Sequence, residues 1–175
     1  MGHRVTGFSR AEYVHSVVNC EERGHYKVWC ERKYSARLCG REMGCYRSHS
    51  RRRVTVRRGV QTYENFNKWI ELLSLVALNV SASNVRHNTT LYEKHPFFEL
   101  ISSPATDNAF GPEVCAKLSV DFASLRASAK EKLARKVAEI GDRLLPYGQT
   151  DWLSTFRKFD RAFALASDNG FVIYW

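Results

Sequence analysis

Four of the five cysteines lie in the first 45 residues, where they could form disulfides or bind a metal ion. They are Cys20, Cys30, Cys39 and Cys45, separated by nine, eight and five residues. Structural zinc sites usually take their ligands in pairs that are about two to four residues apart. The run contains no such pair of cysteines, although Cys45 and His49 have a spacing that one half of a zinc site would accept.

The same spacing suits two nested disulfides better than it suits zinc. In a hairpin, a Cys30–Cys39 bridge would close the inner loop and a Cys20–Cys45 bridge the outer one. Each bridge would contribute roughly 2–4 kcal/mol, and a segment of about 50 residues seldom has a core that holds it folded alone. Free thiols are the third state that the sequence allows. We predict disulfides at these four positions, with no metal and no cofactor.

The segment from Cys20 to Cys30 resembles one half of a known family. Its sequence, CEERGHYKVWC, has the ten-residue step of the twin Cys-x9-Cys proteins, the coiled-coil-helix–coiled-coil-helix family of the mitochondrial intermembrane space. The second pair, Cys39 and Cys45, has the shorter Cys-x5-Cys spacing. The resemblance covers residues 10–49. It implies a disulfide-closed helical hairpin, oxidation on import, and an accessory or assembly role without catalysis.

Arginine residues are the second feature that could do chemistry. The first 60 residues contain 14 Lys and Arg against 5 Asp and Glu, whereas the rest of the chain contains 13 of each, so the net charge of +9 lies at the N-terminal end. In residues 51–58, here called the basic arm, arginines flank a β-branched centre, which is typical of an extended arm or an edge strand. The residues expected to bind a partner are Arg41, Arg47, Arg51, Arg52, Arg53, Arg57 and Arg58.

Three kinds of partner suit the basic arm. RNA is the first, because guanidinium groups bind phosphate in a bidentate manner and the nearby Tyr26, Trp29, Tyr34 and Tyr46 could stack on bases. Anionic lipid is the second, because clustered basic residues are attracted to such a surface. The third is an acidic surface of another protein subunit. The sequence does not separate the three, and a solvated basic tail fits it as well.

Signatures of enzymes and of membrane spans are missing from the sequence. It contains no phosphate-binding glycine loop, no HExxH zinc motif and no GxSxG nucleophile motif, so we expect no catalysis. The longest apolar stretch, residues 72–80, contains Ser74 and Asn79. It is far shorter than the roughly 20 residues that cross a bilayer, so no transmembrane segment is expected.

Two domains are predicted, a head of residues 1–59 and a body of residues 60–175. Residues 9–33 should be mostly helical and residues 36–47 should form a second short helix, so that the head is a cysteine-stapled helical hairpin followed by the basic arm. Gly59 ends the arm.

The body should be a helical bundle, because apolar residues recur at three and four over long stretches. Thr62 is predicted to cap a helix that reaches Asn79, and Thr150 to cap the last helix. A single long helix is expected over 112–145, followed by a strand-like end at 171–175. Residues 81–88 should be a turn, and 91–101 a short helix broken by Pro96. The buried residues predicted for the long helix are Phe122, Leu125, Leu133 and Ile140.

A second resemblance concerns the body alone. The segment from Ile70 to Leu75 and the pair Val120-Asp121 resemble parts of rod-shaped plant virus coat proteins, which are four-helix RNA-binding subunits.

From these features we predict a mainly α, non-enzymatic structural or accessory subunit of a large mitochondrial assembly, either a respiratory-chain complex or the mitochondrial ribosome. It would lie in the intermembrane space or at a membrane surface, or in the matrix if ribosomal, with other protein subunits as partners. The alternative is an RNA-binding protein, with a zinc-bound head or as a viral nucleocapsid or coat subunit.

Overall fold

The computed structural model describes residues 5–14, 25–31, 41–48, 53–56, 63–103, 109–141 and 151–174. The helices in these residues are α1 (Tyr63–Leu78), α2 (Ala82–His87), α3 (Thr89–Tyr92), α4 (Phe98–Ser102), α5 (Pro112–Arg126), α6 (Ala129–Ile140) and α7 (Trp152–Ala166). The strands are β1 (Val5–Phe8), β2 (Ala11–Val14), β3 (His25–Glu31), β4 (Arg41–Ser48), β5 (Arg53–Val56), β6 (Ala109–Phe110) and β7 (Phe171–Tyr174).

The body is mainly helical, which confirms the predicted fold class, and its helices bury the predicted apolar stripes. Side chains at intervals of three and four residues share one face of a helix, and that face is turned to the core. The buried stripe of α1 consists of Phe66, Trp69, Ile70 and Leu73, and that of α7 consists of Trp152, Phe156, Phe159 and Phe163. The two stripes meet where the Trp69 and Trp152 rings stack, with centroids 6.2 Å apart.

The N-termini of two helices can be compared with the predicted ones. Pro112 is the first residue of α5, as predicted, because the N–H that proline lacks would have no partner at that position. The last helix is capped by Asp151 rather than by Thr150. The Asp151 carboxylate accepts a hydrogen bond of 2.9 Å from the backbone N–H of Ser154, so the prediction placed the cap one residue too early.

The single helix predicted over 112–145 is wrong, because α5 and α6 are separate helices. Ser128 lies at the break and donates its backbone N–H to the carbonyl oxygen of Leu125 at 3.1 Å, a tighter turn than the α-helix has. The break turns α6 towards α1, which it contacts. Leu133 is buried as predicted, but Ile140 is only half-buried.

The segment between α1 and α5 is more helical than predicted. Residues 82–87 form α2 where a turn was expected, with Ser81 as its N-cap and the Glu71 carboxylate accepting the Ala82 N–H at 2.8 Å. The short helix predicted over 91–101 is replaced by α3 and α4, which are separated by the turn that contains Pro96.

A four-stranded antiparallel sheet, with strand order β5-β1-β7-β6, lies against α7. Gly7 of β1 faces that helix, since a Cβ atom at Gly7 would lie 2.5 Å from the carbonyl oxygen of Ala162. A side chain there would hold the sheet away from α7. The predicted strand at the C-terminal end is confirmed as β7, and the predicted extended conformation of the arm is confirmed for the four residues of β5.

A second antiparallel sheet, with strand order β2-β4-β3, replaces the predicted helical hairpin. Helices were expected over 9–33 and 36–47, and this is wrong for residues 11–14, 25–31 and 41–47. In β3 Tyr26, Val28 and Cys30 occupy alternate positions, which fits the period of a strand, although Trp29 interrupts the pattern.

The predicted boundary at Gly59 does not coincide with a break in the first sheet. β1 and β5 come from the head, and β6 and β7 come from the body, yet the four strands form one ladder. The turn after α7 also contacts the head, because the backbone N–H of Arg10 donates to the Asp168 carbonyl at 2.9 Å. The division into two domains stays a prediction.

Candidate nucleic-acid interface

Pairing with β1 explains how the basic arm is anchored. Val54 pairs with Gly7, so it lies on the face of the sheet that packs on α7, whereas Arg53 pairs with Phe8 on the opposite face. β5 is at one edge of its sheet and pairs only with β1 among the described residues. Backbone pairing with β1 therefore attaches the arm to the body, and Arg53 and Val54 occupy alternate positions of the strand.

Of the predicted partner-binding residues, Arg53 is the one that the structure places on this edge. Arg51, Arg52, Arg57 and Arg58 flank it in sequence and lie outside the described residues. Positive charge on an edge strand opposes edge-to-edge pairing with the same strand of a second molecule, because the like charges repel each other.

Arg41 and Arg47 are placed differently from the arm. Both lie on β4, where Arg41 pairs with Glu31 of β3 and Arg47 pairs with Glu12 of β2. These are backbone registers, and they place both arginines on the central strand of the second sheet. Their role in binding a partner stays a prediction.

A row of tyrosines crosses the second sheet. Tyr46 on β4 pairs with Tyr13 on β2 and with Tyr26 on β3, so three tyrosines occupy one register on three neighbouring strands. Tyr26 and Tyr46 were candidates for base stacking, whereas Tyr13 had been assigned to an apolar helix face. Alternation along β3 was the signal that could have indicated a sheet, but the register could not be read from it.

The cysteines of the head are only partly described. Cys30 pairs with Glu42, and Cys45 pairs with Lys27 and Val14, so these two cysteines are not opposite each other. Cys20 and Cys39 lie outside the described residues, and the nested disulfides stay a prediction. Cys115 of the body is a buried free thiol that donates to the Phe110 carbonyl at 3.2 Å. Within the described ranges, no three His, Cys, Asp or Glu residues are grouped as a metal site would require.

The charged groups of the body mostly compensate one another. Lys117 donates to Glu99 at 2.6 Å and to Asp121 at 3.2 Å, and Asp121 also accepts the backbone N–H of Phe97, which starts α4. Burial raises the pKa of the Glu99 carboxyl above its ordinary value of 4.5, and the hydrogen bond and charge of Lys117 oppose that rise. This network holds α4 against α5 and leaves no excess positive charge for a partner.

A second ionic contact closes the other end of α5. Arg126 donates two hydrogen bonds to the carboxylate of Asp160 on α7, at 2.9 and 2.8 Å. The bond to Asp160 is the main reason that the pKa of the Arg126 guanidinium is raised. A bidentate pair of this kind fixes the orientation of two helices and is a structural tie rather than a binding site.

A groove of about 440 Å³ between α1 and α6 contains three cations and one carboxylate. Lys136 is already bound within it, to the side chain of Asn79 at 3.0 Å and to Glu139 at 2.7 Å. The hydrogen bond from Lys136 lowers the pKa of the Glu139 carboxyl. The bonds of Lys136 therefore link the end of α1 to α6. The basic arm remains the better candidate for binding an anionic partner.

The chain matches no protein-family model, and neither the curated proteins nor the solved structures contain a match to it. In the part of the chain that the structure describes, no helix is both long and apolar enough to cross a bilayer.

Proposed function

We propose that this protein is a non-catalytic structural subunit that docks on RNA through its basic arm. The observation that carries the proposal is the position of β5. β5 is an edge strand of the first sheet that pairs with β1, and arginines flank it in sequence. An extended strand flanked by arginines suits a phosphate backbone, because each guanidinium can bind a phosphate with two hydrogen bonds.

RNA fits these features better than lipid or an acidic protein. A lipid surface would be bound by charge alone, whereas the bases of single-stranded RNA can also stack on aromatic residues. Tyr13, Tyr26 and Tyr46 share one backbone register of the second sheet. A mitochondrial accessory role stays a prediction. It takes no support from β3 and β4, because the hairpin of the twin Cys-x9-Cys family is helical.

The test is to measure binding of a 20-nucleotide single-stranded RNA by fluorescence anisotropy over a range of salt concentrations. The test variant replaces Arg51, Arg52, Arg53, Arg57 and Arg58 with Gln. The matched control replaces five exposed cations of the body, Lys94, Lys130, Arg135, Arg157 and Arg161, with Gln. Both variants lose the same formal charge, so net charge alone cannot distinguish them.

We expect the logarithm of the wild-type affinity to fall linearly with the logarithm of salt concentration. The slope should shrink by up to about 3.5 in the arm variant, since each phosphate contact on a single strand contributes about 0.7. The control should retain most of the wild-type slope. Absence of RNA binding by the wild type, or equal slopes for the two variants, would contradict the proposal. Binding to anionic vesicles but not to RNA would replace it with a membrane-surface role.

A further inference from the structure

The groove between α1 and α6 has two walls of different chemistry. The wall from α1 is apolar where the half-buried side chains of Leu75 and Val76 line it. Charged residues of α6 form the other wall, at intervals of three and four, so they share one face of that helix. They are Lys132, Arg135, Lys136 and Glu139. The groove's volume of about 440 Å³ lies within the range of about 300–1,000 Å³ that is usual for ligand sites.

The charges that line this groove do not cancel. Glu139 accepts a hydrogen bond of 2.7 Å from Lys136 and lies 3.8 Å from the Arg135 guanidinium, so two cations share one carboxylate. Lys132 is half-buried and forms no ion pair with a carboxylate of the described residues. Three cations against one carboxylate leave an excess of two positive charges beside the apolar wall.

We propose that the groove is a binding site for a small phosphomonoester that carries an apolar or aromatic group. A phosphomonoester has a charge of about −1.5 to −2 at neutral pH, which matches the excess positive charge better than the single charge of a carboxylate does. Arg135 can bind the phosphate oxygens with two hydrogen bonds, and Lys132 binds them as a point charge. The attached group would cover the apolar surface of Leu75 and Val76. The groove consists of body residues only, so this inference does not depend on the proposed RNA-binding function.

The same cations could instead serve the fold alone. Positive side chains are favourable near the C-terminal end of a helix, because its last carbonyl groups carry partial negative charge. Lys136 occupies such a position, since it donates to the side chain of Asn79 just after α1 at 3.0 Å. Lys132 and Arg135 have no hydrogen bond to this end of α1 within the described residues. Substituting these two cations should therefore affect ligand binding if the groove is a site, and stability if it is not.

The first experiment titrates the full chain with three probes at constant ionic strength and follows the NMR chemical shifts of the backbone amides. Phenyl phosphate carries both the charge and a ring, inorganic phosphate lacks the ring, and phenol lacks the charge. At residues 75–79 and 132–139, phenyl phosphate should bind about 5- to 30-fold more tightly than inorganic phosphate, since burying roughly 40–80 Å² of ring surface gives this factor. Phenol should not bind measurably. The shifts also locate the probe, because phosphate bound at the basic arm would instead move the amides of residues 51–58.

The second experiment compares variants of the two walls. K132Q and R135Q should each bind phenyl phosphate at least about fivefold more weakly than the wild type, because each loses a charge-assisted contact to the phosphate. V76S should weaken phenyl phosphate by about threefold or more and leave inorganic phosphate within about twofold. K130Q is the matched control and should change neither affinity, because Lys130 is an exposed cation of α6 that does not line the groove. Circular dichroism melting of each variant checks that the fold is retained.

Several results would overturn the inference. If phenyl phosphate causes no saturable shifts at residues 75–79 and 132–139, the groove is not a phosphate site. If phenyl phosphate and inorganic phosphate bind there equally, the groove holds an adventitious ion only. If K130Q weakens binding as much as K132Q, the net charge of the surface attracts the probe. If K132Q and R135Q lower the melting temperature without changing affinity, the cations serve the fold.

The outcome is separate from that of the RNA test. The variant of the basic arm, with its five arginines replaced by Gln, should bind phenyl phosphate in the groove with the affinity of the wild type. Loss of RNA binding would leave this site standing, and an empty groove would leave the proposed RNA-binding function standing.

Discussion

Aromatic residues are concentrated in two parts of the molecule, and the two sets are arranged differently. In the body, the Phe122 ring is surrounded by other rings, including Phe97 at 4.9 Å and Phe156 at 5.3 Å, and it is fully buried. In the second sheet, three tyrosines lie in a row at one register, one on each strand. The phenylalanine rings pack around one another in the core, whereas the three tyrosine positions follow one line across neighbouring strands.

The same contrast holds for charge. Buried or half-buried carboxylates of the body, such as Glu99 and Asp160, each have a nearby cation as partner. The basic arm has no such compensation in its own sequence, where five arginines flank three uncharged residues. Compensated charges orient helices, and uncompensated ones attract a partner. We therefore expect substitutions of the buried groups of the body to affect stability and substitutions in the basic arm to affect binding.

The largest effect should come from the ring cluster of the body. Phe122→Ala removes a ring that contacts four other phenylalanines, and we expect it to lower the free energy of unfolding by about 3–5 kcal/mol. Chemical denaturation monitored by circular dichroism measures the loss. Val120→Ala on the same helix is the control, because Val120 is 68% exposed. A loss below about 1 kcal/mol for Phe122→Ala would mean that the ring cluster is not the centre of the core.

The next effect should come from the cation that compensates Glu99. Lys117→Met leaves a carboxylate with 4% side-chain exposure without its nearest cation. We expect a loss of about 2–3 kcal/mol at neutral pH, somewhat below the cost for fully buried pairs because Lys117 is partly exposed. Adding Glu99→Gln to the same chain should restore much of the stability, whereas no restoration would show that Lys117 acts through Asp121 instead.

The loss in Lys117→Met should also depend on pH with a definite sign. The pKa of Glu99 is already raised in the folded state, and removal of Lys117 raises it further. A folded protein with a raised carboxyl pKa binds more protons than the unfolded chain between the two pKa values. The variant should therefore regain stability as the pH falls from neutral through the folded pKa towards 4.5. Denaturation at several pH values would measure this, and a deficit that grows with acid would contradict the assignment.

A smaller effect is expected where the head meets the body. Gly7→Ala would place a methyl group 2.5 Å from the Ala162 carbonyl oxygen, so β1 or α7 must move. We expect a loss of about 1–2 kcal/mol, within the usual cost of overpacking, because the atoms that must shift belong to the backbone of Ala162. Without this contact, Gly→Ala would stabilise the fold by restricting the unfolded chain. An unchanged or raised melting temperature would therefore show that β1 does not pack on α7.

The smallest effect on stability should come from the basic arm itself. Replacing its five arginines with Gln should change the free energy of unfolding by no more than about 0.5 kcal/mol, as is usual for surface substitutions. Thermal melting in moderate salt is the measurement. A large loss would assign the arginines to the fold, and the contrast between a stabilising body and a binding head would not hold.

The sequence predicted the parts of the fold that depend on local periodicity. The stripes of α1 and α7 were read correctly because apolar residues recur there at intervals of three and four, and Pro112 marked the start of α5. The break at Ser128 was missed, since the apolar spacing of Leu125, Ala129 and Leu133 continues through it. The strands of the head were missed because Tyr13, Val14, Val17 and Val18 also fit a helical spacing, and short segments do not distinguish the two periods.

The candidate interface was predictable in composition but not in arrangement. Counting charges was enough to find the basic arm. The pairing of Arg41 with Glu31 depends on strand register, as does the alignment of Tyr13 with Tyr46. Register is set by contacts between segments that are distant in sequence, and no local pattern in either segment encodes it.

Strand β1 has neighbours that are synthesised at very different times. Val5 pairs with Val56 of β5 and also with Tyr174 of β7, so β1 can complete its pairing only after Tyr174 has been made. Closing so long a loop carries an entropic cost, and folds with such distant contacts form slowly. During synthesis the arginines next to β5 are therefore not yet attached to the finished body. We expect this protein to be able to bind a polyanion before the pairing of β1 is complete. Binding and the last step of folding would then occur together.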